Sequence, residues 1–182
     1  MSLGQFKGGQ KLYQVNDYVV YGNEGVCKVE AMEKLDITGV DAEKLYYALQ
    51  PLYRNGRVYT PVDTKIFMRP VISKEIADEL IDQIPHIQAE IGGPTNASLL
   101  KEKYTTVLQS NDCEDLIQLI ISVYEKGRIA ETKNKKMGQT DKFFMRKAEE
   151  LLYGEFAVAL DIPRNQVHAY IEQRIDSISK IS

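Results

Sequence analysis

The chain has 182 residues, of which 43% are hydrophobic and 27% are charged, and its formal net charge at pH 7 is −3. This composition is ordinary for a globular protein, and the length is sufficient for one or two domains. No apolar run approaches the roughly 20 residues that a transmembrane helix needs, so we expect no membrane partner. The slight excess of acidic groups also argues against a generic polyanion-binding protein.

Charge is distributed unevenly along the chain. Residues 73–125 carry ten acidic and three basic side chains, a net charge of −7, whereas residues 126–147 carry eight basic and two acidic ones, a net charge of +6. A basic cluster on an otherwise acidic half is the usual electrostatic footprint of a contact with a phosphate backbone. A solvated helix end that balances the acidic segment explains the same pattern, and charge alone leaves both interpretations open.

The N-terminal part of the sequence changes character near residue 13. Residues 1–12 lack an apolar signal core and are interpreted as a disordered leader or a tail added by cloning. The next segment, Gln14–Met32, is rich in β-branched and aromatic residues around a glycine-containing turn, which predicts two short strands. Gly25–Glu33 is the second of these strands, and Lys44–Leu52 predicts a third strand that pairs back on it.

The dipeptide Asn55-Gly56 is the strongest hairpin signal in the chain. It predicts that Leu49–Tyr53 and Arg57–Pro61 are antiparallel neighbours, and Pro51 inside the first of these indicates an edge position or a bulge. Lys65–Val71 supplies a fifth strand. Five short strands with tight turns in this length of chain predict a small barrel of the SH3 or Tudor kind.

From Ser73 onward the apolar residues recur at helical spacing, which predicts an all-α bundle. Pro85 is expected to end the first helix, the stretch Gly127–Gly138 is expected to be a polar and basic loop, and Pro163 lies near the start of the last helix. The residues expected to cap the N-termini of the first four helices are Ser73, Ser98, Asp112 and Thr140.

The sequence gives no support for an enzyme. No phosphate-binding glycine loop or nucleophile elbow is present, so we expect no catalytic residues, no cofactor and no small-molecule substrate. His86 and His168 are expected to be surface residues, and with the two distant cysteines they do not make a metal-binding spacing. Cys27 is expected to be buried, and Cys113, at a helix start beside Glu114 and Asp115, is not expected to be reactive.

The opening strand carries a recognisable motif. The run Asn16-Asp17-Tyr18-Val19-Val20-Tyr21, followed by Gly25, resembles the Gly-Asp-x-Val-Val-Tyr-x-x-x-Gly start of the CarD/CdnL bacterial transcription regulators, with Asn in place of the first Gly. The same motif opens the RNA-polymerase-interacting domain of the transcription-repair coupling factor. The resemblance covers nearly all of residues 13–160, apart from a few extra residues near Lys133–Gly138. Its further matching segments are Arg57–Val62, Pro94–Asn96, Leu108–Asp112 and Lys147–Glu155.

The resemblance implies that the β-domain binds the β subunit of bacterial RNA polymerase by adding a strand to one sheet edge. Main-chain pairing of this kind suits a small barrel, because unpaired backbone groups supply affinity regardless of sequence. Family members often carry arginines at the positions of Leu35 and Tyr59, and this chain does not. The residues that correspond to the polymerase contacts, with nearby basic residues as candidate replacements, are Lys34, Leu35, Arg57, Tyr59 and Thr60.

The resemblance also implies that the helical domain contacts the backbone and minor groove of promoter DNA at the edge of the transcription bubble, and so stabilises the open complex. Well-studied members have a tryptophan wedge directly after the Asn of a Thr-Asn pair, whereas this chain has Ala97 there and contains no tryptophan. An alanine is too small to prop open a base step, so either Leu99, Leu100 or Tyr104 replaces the wedge or the wedge is missing. The implied DNA-binding residues are Asn96, Ala97, Lys142, Arg146 and Lys147.

Together these features predict an α+β protein with two domains. Residues 13–72 form a Tudor-like polymerase-interacting β-domain, and residues 73–182 form a helical, DNA-contacting domain. The function expected from the resemblance is that of a CarD/CdnL-type regulator in the bacterial cytoplasm, associated with the nucleoid. The alternative is a protein-interaction adaptor that does not bind DNA and uses the barrel edge and the acidic helical face.

Overall fold

A computed structural model describes residues 6–7, 10–36, 38–39, 41–94 and 96–180. The chain divides into two compact units, Met1–Val71 and Ile72–Ser182. Within the described ranges, no helix is long and apolar enough to cross a membrane. The same ranges contain no group of three or more His, Cys, Asp and Glu side chains placed to hold a metal ion.

The first unit contains two antiparallel sheets. A two-stranded sheet is formed by β1 (Phe6–Lys7) and β2 (Gln10–Lys11), which lie in the segment interpreted as a leader; residues 1–5 and 8–9 are outside the described part. The second sheet has five strands in the spatial order β6-β5-β4-β3-β7. Its strands are β3 (Tyr18–Tyr21), β4 (Gly25–Lys34), β5 (Leu45–Pro51), β6 (Val58–Pro61) and β7 (Met68–Pro70).

The five-stranded sheet is curled, as its side-chain contacts show. The hydroxyl of Tyr21 on β3 donates a hydrogen bond to Oγ1 of Thr60 on β6 over 3.0 Å. These strands are three positions apart in the sheet, which would separate them by about 14 Å if it were flat. The inner face therefore closes around a small core, formed by Val19, Tyr21, Cys27, Val29, Tyr47 and Leu49. The predicted Tudor-like fold is confirmed.

The strands around Asn55-Gly56 are antiparallel neighbours as predicted, with Leu49 opposite Val58. The connection is longer than a two-residue hairpin, however, because β5 ends at Pro51 and β6 begins only at Val58. Gly56 still has a positive φ of 106°, which explains the glycine in this turn.

Pro51 does not lie on an edge strand, because β5 has β4 on one side and β6 on the other. It is the last residue of β5, paired with Cys27 beyond the point where β6 begins, so the missing N–H falls outside the β5–β6 ladder. The bulge that the sequence suggested near Pro51 is found instead in β4, between Val29 and Ala31.

The second unit is all-helical, as predicted. Its helices are α1 (Lys74–Gln83), α2 (Ala97–Ser110), α3 (Cys113–Thr132), α4 (Gln139–Leu160) and α5 (Val167–Ser179), with short 3₁₀ turns at Ile84–His86 and Arg164–Gln166. The caps predicted for α1 and α3 are confirmed. Ser73 Oγ accepts from the N–H of Ile76 over 3.3 Å, and Asp112 Oδ1 accepts from the N–H of Glu114 over 2.8 Å.

Two other predicted caps are wrong. Asn96, not Ser98, caps α2, because its Oδ1 accepts from the N–H of Ser98 over 2.8 Å. The helix α4 begins directly after Gly138 without a side-chain cap, so Thr140 lies inside its first turn. The predicted loop from Gly127 is also too long, since α3 continues to Thr132.

Three helix ends meet at one end of the bundle. Only Asn111 and Asp112 join α2 to α3, so the two helices are antiparallel and the start of α2 lies near the end of α3. A short loop, 133–138, then leads from the end of α3 to the start of α4. A side-chain contact confirms the arrangement: the hydroxyl of Tyr104 on α2 donates to Asp141 Oδ1 on α4 over 2.6 Å.

Candidate functional site

The strand β6 forms one rim of the five-stranded sheet. Among the described strands it pairs only with β5. The N–H of Val62 donates to the carbonyl of Leu45 over 3.0 Å, so the main-chain groups of Val62 point toward β5. Along an antiparallel edge strand, residues whose main-chain groups point toward the neighbouring strand alternate with residues whose main-chain groups point away from it. The main-chain groups of Tyr59 and the carbonyl of Pro61 therefore point away from β5. The proline is at a position where its missing N–H removes no bond to the sheet.

The opposite rim, β7, is less open to a further strand. The N–H of Val71 donates to the carbonyl of Tyr18 on β3. By the same alternation, the main-chain groups of Met68 and Pro70 on β7 point away from β3. The hydroxyl of Tyr13 donates to the carbonyl of Met68 over 3.2 Å, and Pro70 has no N–H to offer. Blocked edges of this kind resist strand addition, so β6 is the better edge for pairing with another chain.

Two of the sequence-predicted contacts, Arg57 and Tyr59, lie together beside the β6 rim. Tyr59 is 41% exposed and projects from the same face of the sheet as its partner Ala48. The guanidinium of Arg57 is hydrogen-bonded to Glu30, the extra residue of the β4 bulge. Hydrogen bonding with Tyr59 and the negative charge of Glu30 raise the pKa of Arg57. The rim thus presents an aromatic ring and a fixed cation.

The other three predicted polymerase contacts are placed differently. Lys34 is exposed at the end of β4 and forms an ion pair with Glu43 over 2.9 Å. The side chains of Leu35 and Thr60 are buried, and Thr60 is only 2% exposed because it faces the barrel core. In the free chain these two residues have little side-chain surface for a partner. Their polymerase contacts remain a prediction.

The predicted DNA-contacting residues divide between two helix starts. Asn96 and Ala97 are both exposed at the start of α2, where the carboxamide oxygen of Asn96 is used as the helix cap. Lys142 is exposed in the first turn of α4, and within the described residues no carboxylate lies within 4 Å of its ammonium.

The other two predicted cations on α4, Arg146 and Lys147, already form ion pairs with a nearby carboxylate. Lys147 is half-buried and bonds to Glu150 over 2.9 Å, which lowers the pKa of that carboxyl. Arg146 is more exposed but lies 3.9 Å from the same carboxylate. A cation that is already paired loses part of that interaction when it binds a phosphate. Arg146 and Lys147 are therefore weaker candidates than Lys142.

Of the side chains considered as replacements for the missing wedge, one is clearly accessible. Tyr104 is 4% exposed and packs against the ring of Phe144 at 5.3 Å, so it belongs to the core. Burial and the hydrogen bond to Asp141 raise its pKa. Leu100 is half-buried, whereas Leu99 is 53% exposed.

Two adjacent phenylalanines on α4, Phe143 and Phe144, differ in exposure. Phe143 is 47% exposed, while its neighbour Phe144 fills the core. Adjacent residues on a helix point about 100° apart, so only one of two neighbouring phenylalanines can face the bundle. The exposed ring stands edge-on against Phe144 at 5.2 Å.

A further feature was visible in the sequence only as net charge. Lys133, Lys135 and Lys136, here called the lysine loop, follow the end of α3 and are all exposed. They were counted in the basic cluster, but the only cations that the sequence analysis named as DNA contacts were those of α4, Lys142, Arg146 and Lys147. Within the described residues, none of the three loop lysines forms an ion pair.

The architecture of the first unit is that of a small, curled β-domain with one open edge, which leaves room for a strand of another protein to pair with it. Comparison with known families makes the assignment specific. Residues 13–72 match the family model of the CarD-like/TRCF RID domain. This part of the chain is therefore similar to that family of RNA-polymerase-interacting domains, whose members are non-catalytic interaction domains. The recognition made from the Asp17–Tyr21 motif is confirmed.

Proposed function

We propose that this protein is a CarD/CdnL-type transcription regulator that binds the β subunit of RNA polymerase and stabilises promoter open complexes through weak, sequence-nonspecific DNA contacts. The family assignment of residues 13–72 supports binding to RNA polymerase. The proposal adds the subunit, the promoter DNA and the effect on the open complex. It also holds that the chain is not an enzyme and acts in the cytoplasm at the nucleoid.

The observation that carries the polymerase contact is the difference between the two rims of the sheet. The β6 rim offers the main-chain N–H and carbonyl of Tyr59, whereas a hydroxyl and a proline block the β7 rim. A strand added to β6 would form main-chain hydrogen bonds and lie beside the exposed ring of Tyr59 and the cation of Arg57. This arrangement favours β6 as the docking edge.

The DNA contact is supported by charge and exposure in the helical unit. The segment 126–147 has a net charge of +6. Lys142 and Phe143 near the start of α4 and Leu99 near the start of α2 are all exposed, and these two helix starts lie at the same end of the bundle. Lysines contact phosphates without reading sequence, so the expected binding is weak and similar at different promoters.

The subunit contact is tested by site-specific photo-crosslinking of the full chain to RNA polymerase holoenzyme. A photoreactive phenylalanine derivative replaces Tyr59 in one variant and Ile66, beside the β7 rim, in the control variant. We expect cross-links from position 59 to the β subunit and few or none from position 66. Cross-links from position 66 alone, or from position 59 to another subunit, would contradict the proposed docking edge or partner.

The effect on promoters is tested by the lifetime of open complexes after a competitor is added. We expect the full chain to lengthen the lifetime, and charge reversal at Lys142, Arg146 and Lys147 to reduce this effect by similar factors at promoters of different sequence. If instead the basic residues have no influence while charge reversal on the acidic segment 73–125 removes function, the chain is an adaptor without DNA contacts.

A further inference from the structure

We infer that the lysine loop is the principal phosphate-contacting element of the helical unit, ahead of the cations on α4. The inference rests on the proposed DNA contact and identifies the residues that make it. It assigns Lys133, Lys135 and Lys136 to a nucleic-acid backbone, and the next helix carries the exposed ring of Phe143 near its start. Three observations support it: the anchoring of the loop, the freedom of its cations, and its position in the bundle.

The loop has a fixed shape despite its polar sequence. Asn134 adopts a left-handed conformation with φ of 52°, which ends α3 and turns the chain. The carbonyl of Ala130 accepts from both the N–H of Lys133, over 3.0 Å, and the N–H of Lys135, over 2.8 Å. The ammonium groups therefore project from an ordered turn, which lowers the entropy cost of arranging them around a phosphate backbone.

The far side of the loop is held by Met137, which packs against the helical core. A Cβ atom at Gly127 would lie 2.3 Å from the Cε of Met137, so the absence of a side chain at Gly127 makes room for this methyl group. A side chain at Gly127 would displace the methyl end of Met137, and with glycine there this part of the loop lies close against α3. The contact ties the lysine loop to the rigid part of the bundle.

The cations of the loop are more available than two of the three cations on α4. Within the described residues, no carboxylate lies within 4 Å of the three loop ammonium groups, whereas Arg146 and Lys147 share the carboxylate of Glu150. Binding a phosphate there requires partial loss of an existing ion pair. The loop lysines have no such competitor, and each is able to displace condensed counterions from DNA.

The loop also lies at the end of the bundle where the start of α2 is found. An ideal Cβ at Gly93, just before α2, would be 3.9 Å from Nζ of Lys126, the neighbour of Gly127. The Tyr104–Asp141 hydrogen bond joins the same end to the start of α4. Lysines and accessible apolar side chains on one surface suit a nucleic acid, which offers phosphates and base faces, better than a purely acidic polypeptide.

The test compares variants of the full chain that each lose three positive charges. The loop variant is K133Q/K135Q/K136Q, the α4 variant is K142Q/R146Q/K147Q, and the control is K65Q/K74Q/K180Q, whose lysines are exposed and lie elsewhere in the chain. Binding to a fluorescent 20-base-pair duplex is measured between about 20 and 200 mM salt. Circular dichroism on heating checks that each variant is folded.

We expect the loop variant to bind most weakly. The negative slope of its log K against log salt should become shallower by about 2 to 3, which is close to 0.9 for each phosphate that is no longer neutralised. The slope of the α4 variant should become shallower by about 1, through Lys142, and the control should leave it unchanged. A polyglutamate peptide should not displace the unmodified chain from the duplex at concentrations where unlabelled duplex does.

The outcomes separate this inference from the proposed function. A larger slope change in the α4 variant than in the loop variant overturns the role of the loop and leaves the proposed function standing. An equal loss of affinity for the duplex in all three variants also overturns the role of the loop, because the effect is then one of net charge. Efficient displacement by polyglutamate would assign the loop to an acidic protein. If the unmodified chain fails to bind the duplex at low salt, both the inference and the DNA part of the proposed function fail.

Discussion

The hydroxyl of Tyr21 donates a hydrogen bond to Oγ1 of Thr60 over 3.0 Å, inside the β-barrel and across three strand positions. This bond shows that two neighbouring residues on β6 lie in different surroundings. Thr60 faces the core and supports the curl of the sheet, whereas Tyr59 faces outward at the rim. The resemblance to known regulators placed both residues at the polymerase contact, but in the structure the side chain of Thr60 is buried and that of Tyr59 is exposed.

Replacing Thr60 by valine should reduce stability without reducing polymerase affinity. Valine has nearly the shape of threonine but leaves the buried hydroxyl of Tyr21 without this acceptor, at an expected cost of about 1 to 3 kcal/mol in the free energy of unfolding. The double variant Y21F/T60V removes both partners and should recover part of the loss. Denaturant titration measures the stability, and a polymerase-binding assay with the folded variant measures the affinity. A marked loss of affinity would instead assign the Thr60 side chain to the interface.

The packing of α5 on α1 should depend on Arg174 and on acid pH. Its Nε donates to Asp82 Oδ1 over 2.5 Å and its Nη2 to Oδ2 over 2.8 Å, while the hydroxyl of Tyr170 donates to Asp78 over 2.7 Å. The hydrogen bond with Arg174 lowers the pKa of Asp82. The pair therefore stabilises the folded state fully above the ordinary aspartate pKa of 3.8 and loses this contribution as the pH falls through the folded-state value.

Arg174→Ala should cost up to about 1 kcal/mol near pH 7, because the pair is partly exposed to solvent. The difference from the unmodified chain should shrink below about pH 4, where the unfolded aspartate is protonated. Arg174→Lys keeps the charge but loses the two-pronged geometry, so its stability should be intermediate. Thermal unfolding at several pH values measures all three chains. Stability differences that stay constant down to pH 2 would show that the pair does not act through the charge of Asp82.

The thiol of Cys27 should be chemically silent in the folded protein. Its side chain is buried in the barrel, and burial is the main cause that raises its pKa to about 12. At pH 8 almost none of it is thiolate, which is the form that reacts with alkylating reagents. We expect peptide mapping by mass spectrometry to find Cys27 labelled by iodoacetamide only after denaturation. Rapid labelling under native conditions would show that the barrel opens around it.

Much of the fold follows from local sequence chemistry. The alternation of apolar residues and the Asn55-Gly56 turn were sufficient to predict the strand order around β5, and Ser73 and Asp112 marked two helix starts correctly. The errors arose where several residues compete for one role. Either Asn96 or Ser98 is able to cap α2, and only the backbone conformation selects Asn96.

The candidate site was less predictable, because exposure and pairing are tertiary properties. A motif places Tyr59 and Thr60 side by side, but the direction in which each side chain points depends on strand register. Likewise, Lys147 and Lys135 contribute equally to the net charge that is calculated from the sequence. Only the position of Glu150 one turn along α4 shows that Lys147 is already paired. Net charge therefore indicated the region of contact but not the residues.

The central claim, that RNA polymerase adds a strand to β6, is tested most directly by comparing the polymerase affinities of Tyr59→Pro and Tyr59→Ala. Both variants lose the exposed ring, but only the proline also loses the outward N–H, at an edge position where proline is tolerated. Ile66→Ser, beside the β7 rim, serves as the control and should bind normally. We predict that Tyr59→Pro binds about fivefold or more weakly than Tyr59→Ala, the effect of about 1 kcal/mol for one main-chain hydrogen bond. Equal affinities of the two folded variants, or a loss confined to Ile66→Ser, would contradict the claim.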